Sequence, residues 1–318
     1  MTDLPFPSRT IIATRSSAMA MAQTASVAAL LRQAHPGVVA HFSQITTTAD
    51  RQYGSLDIVG GKSAWIRELD AALVGGRADL AVSCAKDLPG PHERGSAVVI
   101  GAVLPREDAR DAVVLPAGAD PTPLHDLRPG SLIGTIAPRR AAQLHTQFPQ
   151  LTVRPLRGNL DTRIKRLDEG ADGLDALVVS FAGLNRIGLA DRAAEVLSTN
   201  VLMPATGAGF VIVEHRAGDS IAARLLEPIN DRSAQRLLQI ERGVLGELRG
   251  DCRTACSVHA TYDGTETQVQ ATAAVFDANT GAAMEVSAGR PVGDDRALID
   301  EVVQLLRANG AGSLLPPR

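Results

Sequence analysis

The apolar positions in the first hundred residues alternate between the spacing of buried strands and that of helices. A short β-branched run ends at Arg15, and the residues from Ser17 to Ala34 have helical spacing. His35-Pro36-Gly37 then predicts the end of that helix. The elements predicted here are strands at residues 10–14, 38–45, 80–84 and 97–104 and helices at residues 17–34 and 62–73. This order predicts a lobe built from alternating strands and helices.

The same alternation resumes after a charged stretch, Pro105 to Arg110, which is predicted to be a hinge. Pro138 suits the first position of a helix, because its missing N–H would be unpaired there, and Asn159 is a candidate N-cap. Turn signals at Asp263-Gly264 and Asn279-Thr280-Gly281 predict hairpins near the C-terminus. The later elements are strands at residues 112–115, 131–136, 151–156, 176–180 and 210–214, helices at 231–248 and 296–309, and a hairpin-rich region at 257–287. The predicted fold class is α/β, with two βα lobes joined by a hinge and a small C-terminal α+β domain.

The stretch from Gly134 to Arg163 contains five arginines and a single acidic residue, Asp161. Arg139 and Arg140 lie in the first turn of one predicted helix, and Arg163 lies one turn into the next. A helix N-terminus disfavours cations, so a solvated surface, which is the alternative, explains the pattern less well. Guanidinium groups bind carboxylate and phosphate through paired hydrogen bonds. The arginines therefore predict an anionic ligand at the strand-to-helix corners of a sheet.

Composition makes this arginine cluster a local feature of the chain. The 318 residues carry a net charge of −3 and only 3% aromatic residues, which argues against a nucleic-acid surface. The first residues have no signal-peptide pattern, and the uncharged residues 16–31 are too few to span a bilayer. The cysteines, Cys84, Cys252 and Cys256, do not make a disulfide framework. We therefore expect a cytoplasmic protein that binds neither nucleic acid nor membrane.

Two other strand ends carry polar residues. Asp87 follows a buried strand beside Lys86, a position suited to a ligand crevice, although an ordinary turn aspartate is the alternative. Arg15 and Ser17 end the first strand and begin the first helix, and the alternative there is an N-cap serine beside a solvated arginine. The polar segment at residues 46–61 has no clean period and is predicted to be a functional or mobile loop.

Two short motifs were tested for nucleotide and metal binding. Gly60-Gly61-Lys62 is not a P-loop, because Leu56 stands where the first glycine is needed. Cys252, Cys256 and His259 lack a nearby fourth ligand for zinc, so no metal is expected. Cys252, on a glycine-flanked loop, is better explained as a reactive or modified thiol, with a free cysteine as the alternative.

Several segments together resemble one family, the hydroxymethylbilane synthases, also called porphobilinogen deaminases. They are IIATRSS, VGGKSAWIRELD, RADLAVSCAKDLP, REDARDAVV, GTIAPRR, LRGNLDTRIKRLDEG, AGLNRIGL, LMPATGAG and GDCRTACS. They occur in the family's order and spacing, and as a set they are specific, although no single one is. The resemblance implies periplasmic-binding-protein-like lobes at residues 1–105 with 204–224 and at residues 106–203, and a C-terminal domain at residues 225–318.

The resemblance also implies an activity. The family condenses four porphobilinogens head to tail, with loss of ammonia, on a dipyrromethane cofactor held by a cysteine thioether, and hydrolysis then frees the linear tetrapyrrole. It matches Cys252 to that cysteine and Asp87 to the catalytic carboxylate, and it implies a monomeric transferase of heme biosynthesis whose substrate is a small pyrrole carboxylate. The other implied cofactor-binding residues are Lys86, Thr135, Arg139 and Arg140, again with Asp87, and the implied substrate-binding residues are Arg15, Ser17, Lys62, Trp65, Arg157, Arg163 and Arg186.

The chain departs from the family pattern at neutral positions while it keeps the charged ones. The departures are Ser83, Cys84 and Ala85 in place of His-Ser-Met, Ile136 and Ala137 in place of two serines, and Ala208 in place of Gln. Lost hydrogen-bond donors that face carboxylates would cost about 1–3 kcal/mol each. Two alternatives to a divergent active enzyme therefore remain. One is a paralogue that binds or oligomerises a different pyrrole, and the other is a non-catalytic two-lobed anion-binding protein, against which Asp87 and Cys252 both argue.

Overall fold

The computed structural model describes residue 6 and residues 8–51, 64–249, 255–277 and 283–314, without the side chains of residues 49, 51 and 313. The chain divides into two compact units. Unit 1 comprises Met1–Pro89, Glu93–Arg106 and Phe210–Arg236, and unit 2 comprises Gly90–His92, Glu107–Gly209 and Leu237–Arg318. None of the helices in the described residues is both long and apolar enough to cross a membrane.

Strands and helices alternate through most of the described chain. The strands are β1 (Arg9–Arg15), β2 (Val39–Ile45), β3 (Leu80–Cys84), β4 (Val98–Val103), β5 (Asp111–Val114), β6 (Leu132–Gly134), β7 (Thr152–Arg154), β8 (Ala176–Ser180), β9 (Ala193–Val196), β10 (Val211–Arg216), β11 (Cys256–Tyr262), β12 (Gln268–Phe276) and β13 (Ala283–Pro291). The helices are α1 (Ala18–Ala34), α2 (Thr48–Arg51), α3 (Arg67–Val74), α4 (Pro138–Gln147), α5 (Leu160–Asp168), α6 (Phe181–Arg186), α7 (Ser220–Leu226), α8 (Arg232–Glu247) and α9 (Asp295–Ala308).

Unit 1 is built on a five-stranded sheet with the order β2-β1-β3-β10-β4. Strands β1, β2 and β3 run parallel, and β10 runs antiparallel to both of its neighbours. Buried apolar residues of the sheet, such as Ile12 and Leu80, belong to one core with Val27 of α1. Because parallel strands end at the same edge, Arg15 at the end of β1 and the turn after β3 lie at one edge of this sheet.

The first sheet of unit 2 has the order β7-β6-β8-β5-β9. Strands β6, β7 and β8 run parallel, whereas β5 runs antiparallel to β8. The first residue of β5, Asp111, is therefore opposite the last residue of β8, Ser180. Helices α4 and α5 cover separate apolar clusters of the sheet through Leu144 and Ile164 respectively. This topology brings the start of one strand to the edge where the parallel strands end.

The second sheet of unit 2 is the antiparallel set β11-β12-β13. Helix α9 packs against β12 and β13, and its buried residues Leu298, Val302 and Leu306 share one helical face. On α8, the fully buried Glu241 accepts hydrogen bonds from the backbone N–H of Gly207 at 2.6 Å and of Ala260 at 3.0 Å. One buried carboxylate thus ties the glycine-rich stretch at residues 202–209 to this sheet.

The predicted α/β class is confirmed, since the chain has two lobes based on mixed five-stranded sheets and a small third sheet. The strands predicted up to residue 214 all occur, as do the helices predicted at 17–34, 231–248 and 296–309, with small shifts at their ends. Pro138 is the first residue of α4, as predicted. Asn159 lies at the N-cap of α5, but its side chain makes no capping hydrogen bond. The domain ranges remain a prediction.

Two predictions of local structure differ from the observed elements, and a third cannot be compared because it lies outside the described residues. The loop predicted at residues 46–61 is wrong at Thr48–Arg51, where α2 forms because Asp50 Oδ2 accepts from Thr47 N at 3.1 Å and Oγ1 at 2.8 Å. The helix predicted from residue 62 begins at Arg67, and residues 52–63 lie outside the described part of the chain. The turn predicted at residues 279–281 also lies outside it. Strand β9 and helices α6 and α7 were not predicted.

Candidate active site

A pocket lies in unit 1 at the edge where β1 and β3 end. Its lining consists of Arg15, Met19, Ala20, Gln23, Trp65, Ile66, Val82, Ser83, Cys84 and Asp87. Three of the predicted site residues, Arg15, Trp65 and Asp87, are therefore brought together here. A cation, an aromatic face and a carboxylate around one small pocket suit a ring-shaped ligand that carries its own acidic groups.

Arg15 is held between an aromatic ring and a carboxylate. Its guanidinium carbon lies 4.1 Å from the centroid of the Trp65 ring. The carboxylate is that of Asp50. Arg15 Nε donates to Asp50 Oδ2 at 3.3 Å, and Arg15 Nη2 forms a short ion pair with Asp50 Oδ1. Burial raises the pKa of Asp50, but the hydrogen bonds and charge of Arg15 outweigh it and hold the pKa below its ordinary value. Asp50 is therefore ionised and occupies part of a guanidinium that was predicted to bind substrate.

The hydroxyl groups near the pocket are not equivalent. Ser17 caps α1 by accepting from the N–H of Ala20 at 3.3 Å, which is the structural role weighed for it from the sequence. Ser83 is 7% exposed, and its Oγ has no hydrogen-bond partner among the described residues. Next to it, Gln23 Nε2 donates to Cys84 Sγ at 2.8 Å. Ser83 thus offers the pocket an unused hydroxyl, whereas that of Ser17 is engaged.

Asp87 and Lys86 lie in a single tight turn, Ala85–Asp87, directly after β3. The turn is fixed at both ends, because Ala85 N donates to Phe210 O at 3.1 Å and Leu88 N donates to Ala85 O at 3.2 Å. Both charged side chains are half-buried. The carboxylate of Asp87 is therefore carried by a rigid turn at the edge of the sheet, as catalytic groups usually require.

In unit 2, Arg139 and Arg140 lie in the first turn of α4, as predicted, but both are engaged with one acid. Asp111, which is 3% exposed, accepts from Arg139 Nη2 at 2.5 Å and from Arg140 Nη2 at 2.6 Å and Nε at 3.0 Å. Arg139 Nη1 also donates to the carbonyl of Met203. Burial raises the pKa of Asp111, yet the two guanidinium charges outweigh it and hold the pKa far below its ordinary value.

Arg157 and Arg163 differ from this pair, because part of each guanidinium has no partner. Arg157 Nη1 and Arg163 Nε are buried and make no hydrogen bond to any described residue. Burial, followed by the charge of Arg140, lowers the pKa of Arg163 to about 10, so the side chain is still protonated at neutral pH. An unpaired buried donor costs about 1–3 kcal/mol, and more when charged. These two nitrogens therefore mark a place where an anion would be stabilised.

The remaining predicted residues of unit 2 are also accounted for. Arg186, at the end of α6, pairs with Glu107, with Nε 2.8 Å from Oε1 and 3.1 Å from Oε2, and its Nη2 donates to Gly209 O at 3.3 Å. Thr135 is buried after β6, and its Oγ1 accepts from Ala137 N at 3.4 Å. Lys62 and Cys252 lie outside the described residues.

Sequence analysis missed the acidic partners of the arginines. Asp50, Glu107 and Asp111 each hold one or two predicted ligand-binding arginines. Glu107 lies in the charged stretch at residues 105–110, which was interpreted only as a hinge, and Asp111 directly follows that stretch. The available signal was that Asp111 directly precedes the apolar run at residues 112–115. The acids and arginines are 28 or more residues apart, however, and no local sequence pattern predicts such pairing.

Comparisons with known proteins agree on one family. The profile described as porphobilinogen deaminase, dipyromethane cofactor binding domain, matches residues 10–224. The porphobilinogen deaminase of Thiobacillus denitrificans is 40% identical over 252 residues, which is 79% of this chain and 80% of that protein. That of Roseiflexus castenholzii is 38% identical over 306 residues, or 95% of this chain and 97% of that protein.

Similarity to solved structures is looser. The methionine-binding protein MetQ covers 74% of this chain and 95% of its own, with 10% identity and a TM-score of 0.44. The periplasmic aliphatic sulphonate binding protein SsuA from Escherichia coli covers 98% of this chain and 89% of its own, with 15% identity and a TM-score of 0.41.

Proposed function

Because the chain belongs to the porphobilinogen deaminase family, we propose that the residues described above carry out that family's reaction here. The chain is a transferase of tetrapyrrole biosynthesis, a hydroxymethylbilane synthase. It joins four porphobilinogens head to tail with loss of ammonia on a covalent dipyrromethane cofactor, and hydrolysis frees the linear tetrapyrrole. The observation that carries the assignment of residues is a pair of buried guanidinium nitrogens, Arg157 Nη1 and Arg163 Nε, that have no hydrogen-bond partner among the residues the structure describes.

The arginines of unit 2 fit a cofactor of this chemistry. Every pyrrole ring of a dipyrromethane bears an acetate and a propionate, so the group is a polyanion. Its carboxylates would bind Arg140, which keeps Nη1 after Asp111 has taken Nε and Nη2. The nitrogens that Arg157 and Arg163 leave unpaired among the described residues would bind the carboxylates of the substrate pyrroles. When bound, the cofactor supplies the pyrrole carbon to which the next unit is added. The residues assigned to hold it are Cys252 through a thioether, with Lys86, Asp87, Thr135, Arg139 and Arg140.

Asp87 is assigned as the catalytic carboxylate. It lines the pocket of unit 1 with Arg15 and Trp65, on a turn that two backbone hydrogen bonds hold. A negative charge at this place stabilises the positive charge that develops on a substrate ring when ammonia leaves, and it assists transfer of the pyrrole proton. The pocket is small and partly apolar, which strengthens this electrostatic effect relative to water.

The substrate is positioned by cations and one aromatic ring. Arg15 and Trp65 lie together in the pocket of unit 1, where they would bind a carboxylate and a ring face. The other residues assigned to substrate binding are Ser17, Lys62, Arg157, Arg163 and Arg186. For Arg186 the support is weaker, because Glu107 already holds its Nε.

Intact-mass spectrometry tests the assignment of the cofactor. The purified chain should be heavier than its sequence by two pyrrole units, and Cys252→Ser should remove this increment. Cys84→Ser and Cys256→Ser are matched controls that should keep it. An unmodified mass in the original chain, or an increment that survives in Cys252→Ser, would contradict the assignment.

Turnover tests the role of Asp87. In Asp87→Ala the mass increment should persist while ammonia release from porphobilinogen falls by at least about a hundredfold, in the range typical of a lost general acid or base. Normal turnover in this variant would contradict the catalytic assignment. Loss of the increment would instead make Asp87 a residue needed for cofactor assembly.

We further propose that the enzyme is a cytoplasmic monomer with the three domains at residues 1–105 with 204–224, 106–203 and 225–318. The support is the local nature of its charge cluster and the absence of a disulfide framework in the sequence. Light scattering of the purified holoenzyme tests the monomer directly. Limited proteolysis with mass mapping tests the boundaries, and cleavage sites that avoid all of them would contradict the ranges.

A further inference from the structure

Asp111, Arg139 and Arg140 form an ion cluster in which some guanidinium nitrogens bind the protein and others do not. Arg139 donates from Nη2 to Asp111 and from Nη1 to the carbonyl of Met203. Arg140 donates from Nε and Nη2 to Asp111, so its Nη1 remains available to a ligand. The guanidinium fork is planar and rigid, so a carboxylate that fixes two of its nitrogens also fixes the direction of the third.

A third cation, Arg163, lies close enough to feel this cluster. Burial, and after it the charge of Arg140, lowers the pKa of Arg163, and Arg163 Nε has no partner of its own among the described residues. Without an acid, three buried or half-buried guanidiniums would repel one another in a protein that holds no anionic ligand. Asp111 offsets one of the three charges, so the cluster can be assembled before a ligand arrives.

We infer that Asp111 is the positioning residue of the anion-binding cluster: it orients Arg140 so that Nη1, together with Arg163 Nε, is available to carboxylates of the pyrrole chain. Asp111 does not itself contact the reacting atoms. The inference rests on the proposed function, because it assumes that the ligand of this cluster is a pyrrole carboxylate.

The topology of the sheet explains why an acid can occupy this position. Strand β5 runs antiparallel to β8, so its first residue, Asp111, lies at the edge where the parallel strands end. Helix α4 begins at the same edge after β6 and directs Arg139 and Arg140 toward Asp111. On a parallel strand, a carboxylate could reach this edge only from the loop after the strand. That loop lies where the ligand would bind, so the two would compete for space.

The competing explanation is a purely structural ion pair, of which unit 1 contains a clear example. Glu214 is 1% exposed and pairs with Arg94, which also binds Asp70 at 3.1 Å through Nε. None of these residues lines the pocket or belongs to the assigned site. Glu214→Gln is therefore a matched control for Asp111→Asn, since each removes a buried charge opposite arginine and keeps the size of the side chain.

The experiment compares the original chain with Asp111→Asn, Asp111→Glu and Glu214→Gln. Four quantities are measured for each: the thermal midpoint, the fraction carrying the cofactor mass increment, kcat and KM. Asp111→Asn and Glu214→Gln should both lower the midpoint, because each removes a buried carboxylate that is paired with arginine. Only Asp111→Asn should lose cofactor occupancy and kcat/KM, while Glu214→Gln that folds should keep both.

Asp111→Glu separates orientation from charge. It keeps the carboxylate but moves it by one methylene, so the midpoint should largely recover while kcat/KM stays between about tenfold and about a hundredfold low, as expected for misplaced binding groups. If Asp111→Glu recovers full occupancy and kcat/KM, or if Glu214→Gln loses as much of both as Asp111→Asn does, Asp111 is only structural and the inference is wrong. Should Asp111→Asn fail to fold, the result for Asp111→Glu decides alone.

The original chain distinguishes failure of this inference from failure of the proposed function. If it carries no cofactor increment and shows no turnover of porphobilinogen, the proposed function is wrong. If it carries both and Asp111→Glu behaves like it, the function stands and only the positioning role is overturned.

Discussion

The central guanidinium carbon of Arg15 lies 4.1 Å from the ring centroid of Trp65, and both residues line the pocket that Asp87 also lines. Trp65 is the only tryptophan of the chain. Asp50 binds Nε and Nη2 of the same guanidinium. This cation of the pocket in unit 1 thus contacts one aromatic ring and one acid, and each contact leads to a prediction.

Trp65→Leu should raise KM for porphobilinogen by about threefold to tenfold, because the cation–π contact that orients Arg15 is lost. Trp65→Phe is the matched control and should show a smaller increase, since a phenyl ring keeps a weaker cation–π face. Steady-state kinetics with both variants checks this. Equal KM values for Trp65→Phe and Trp65→Leu would mean that the indole of Trp65 only fills space.

Asp50→Asn should lower KM by about threefold to tenfold, because a substrate carboxylate would no longer compete with an internal one for Arg15. Asp70→Asn, which removes an acid from Arg94 in the same unit, serves as the control and should leave KM unchanged. Quenching of the Trp65 signal by porphobilinogen in an Asp87→Ala background gives the affinity without turnover. Weaker binding in Asp50→Asn would show that Asp50 instead holds Arg15 in its productive position.

Arg163→Met should stabilise the protein that lacks cofactor while it abolishes efficient turnover. The buried, unpartnered Nε of Arg163 costs free energy until an anion binds, and the gain on removal is about 1–2 kcal/mol after allowance for solvent screening. Arg154→Met, on an exposed arginine that donates to Asp172 O at 2.7 Å, is the control and should give no such gain. Urea unfolding of Cys252→Ser proteins measures this, and a less stable Arg163→Met protein would contradict it.

The stability difference between Arg163→Met and the parent should depend on pH in a defined direction. Burial, followed by the charge of Arg140, lowers the pKa of Arg163 to about 10 in the folded chain, well below its ordinary value. The cost of burying its charge is therefore fully present below about pH 10 and is relieved as pH rises from there toward the unfolded value. The difference in unfolding free energy should be constant from pH 7 to 9 and shrink above about pH 10, and other groups cancel because both proteins share them.

Ala137→Ser should stabilise the chain by about 0.5–2 kcal/mol, because Ala137 is the N-cap residue of α4, has extended backbone and offers no side-chain oxygen to cap the helix. Ala141→Ser, inside the same helix, is the control and should be neutral or slightly destabilising. Thermal unfolding checks both. If a serine at 137 also lowers KM, the family's hydroxyl at this position serves the ligand as well as the helix.

Much of the site was predictable from the sequence because it follows strand ends. Pro138 places Arg139 and Arg140 in a first helical turn, and the buried run before Asp87 places that carboxylate at the edge of a sheet. Local rules of helix starts and parallel strands are sufficient for such positions. The role of Arg139 was harder to predict, because its Nη donors are spent on Asp111 and Met203.

What the sequence determined by itself was the family, the alternation of strands and helices, and which arginines lie at strand-to-helix corners. Those properties depend on residue type and spacing along the chain. Only the tertiary structure decided which cations are neutralised and which keep unpaired donors. Arg140 is paired with Asp111, whereas Nε of Arg163 has no hydrogen-bond partner in the part of the chain that the structure describes. The physical reason is that the charge of a buried group depends on atoms within a few ångströms in space, and an antiparallel strand can bring those atoms from a distant part of the chain.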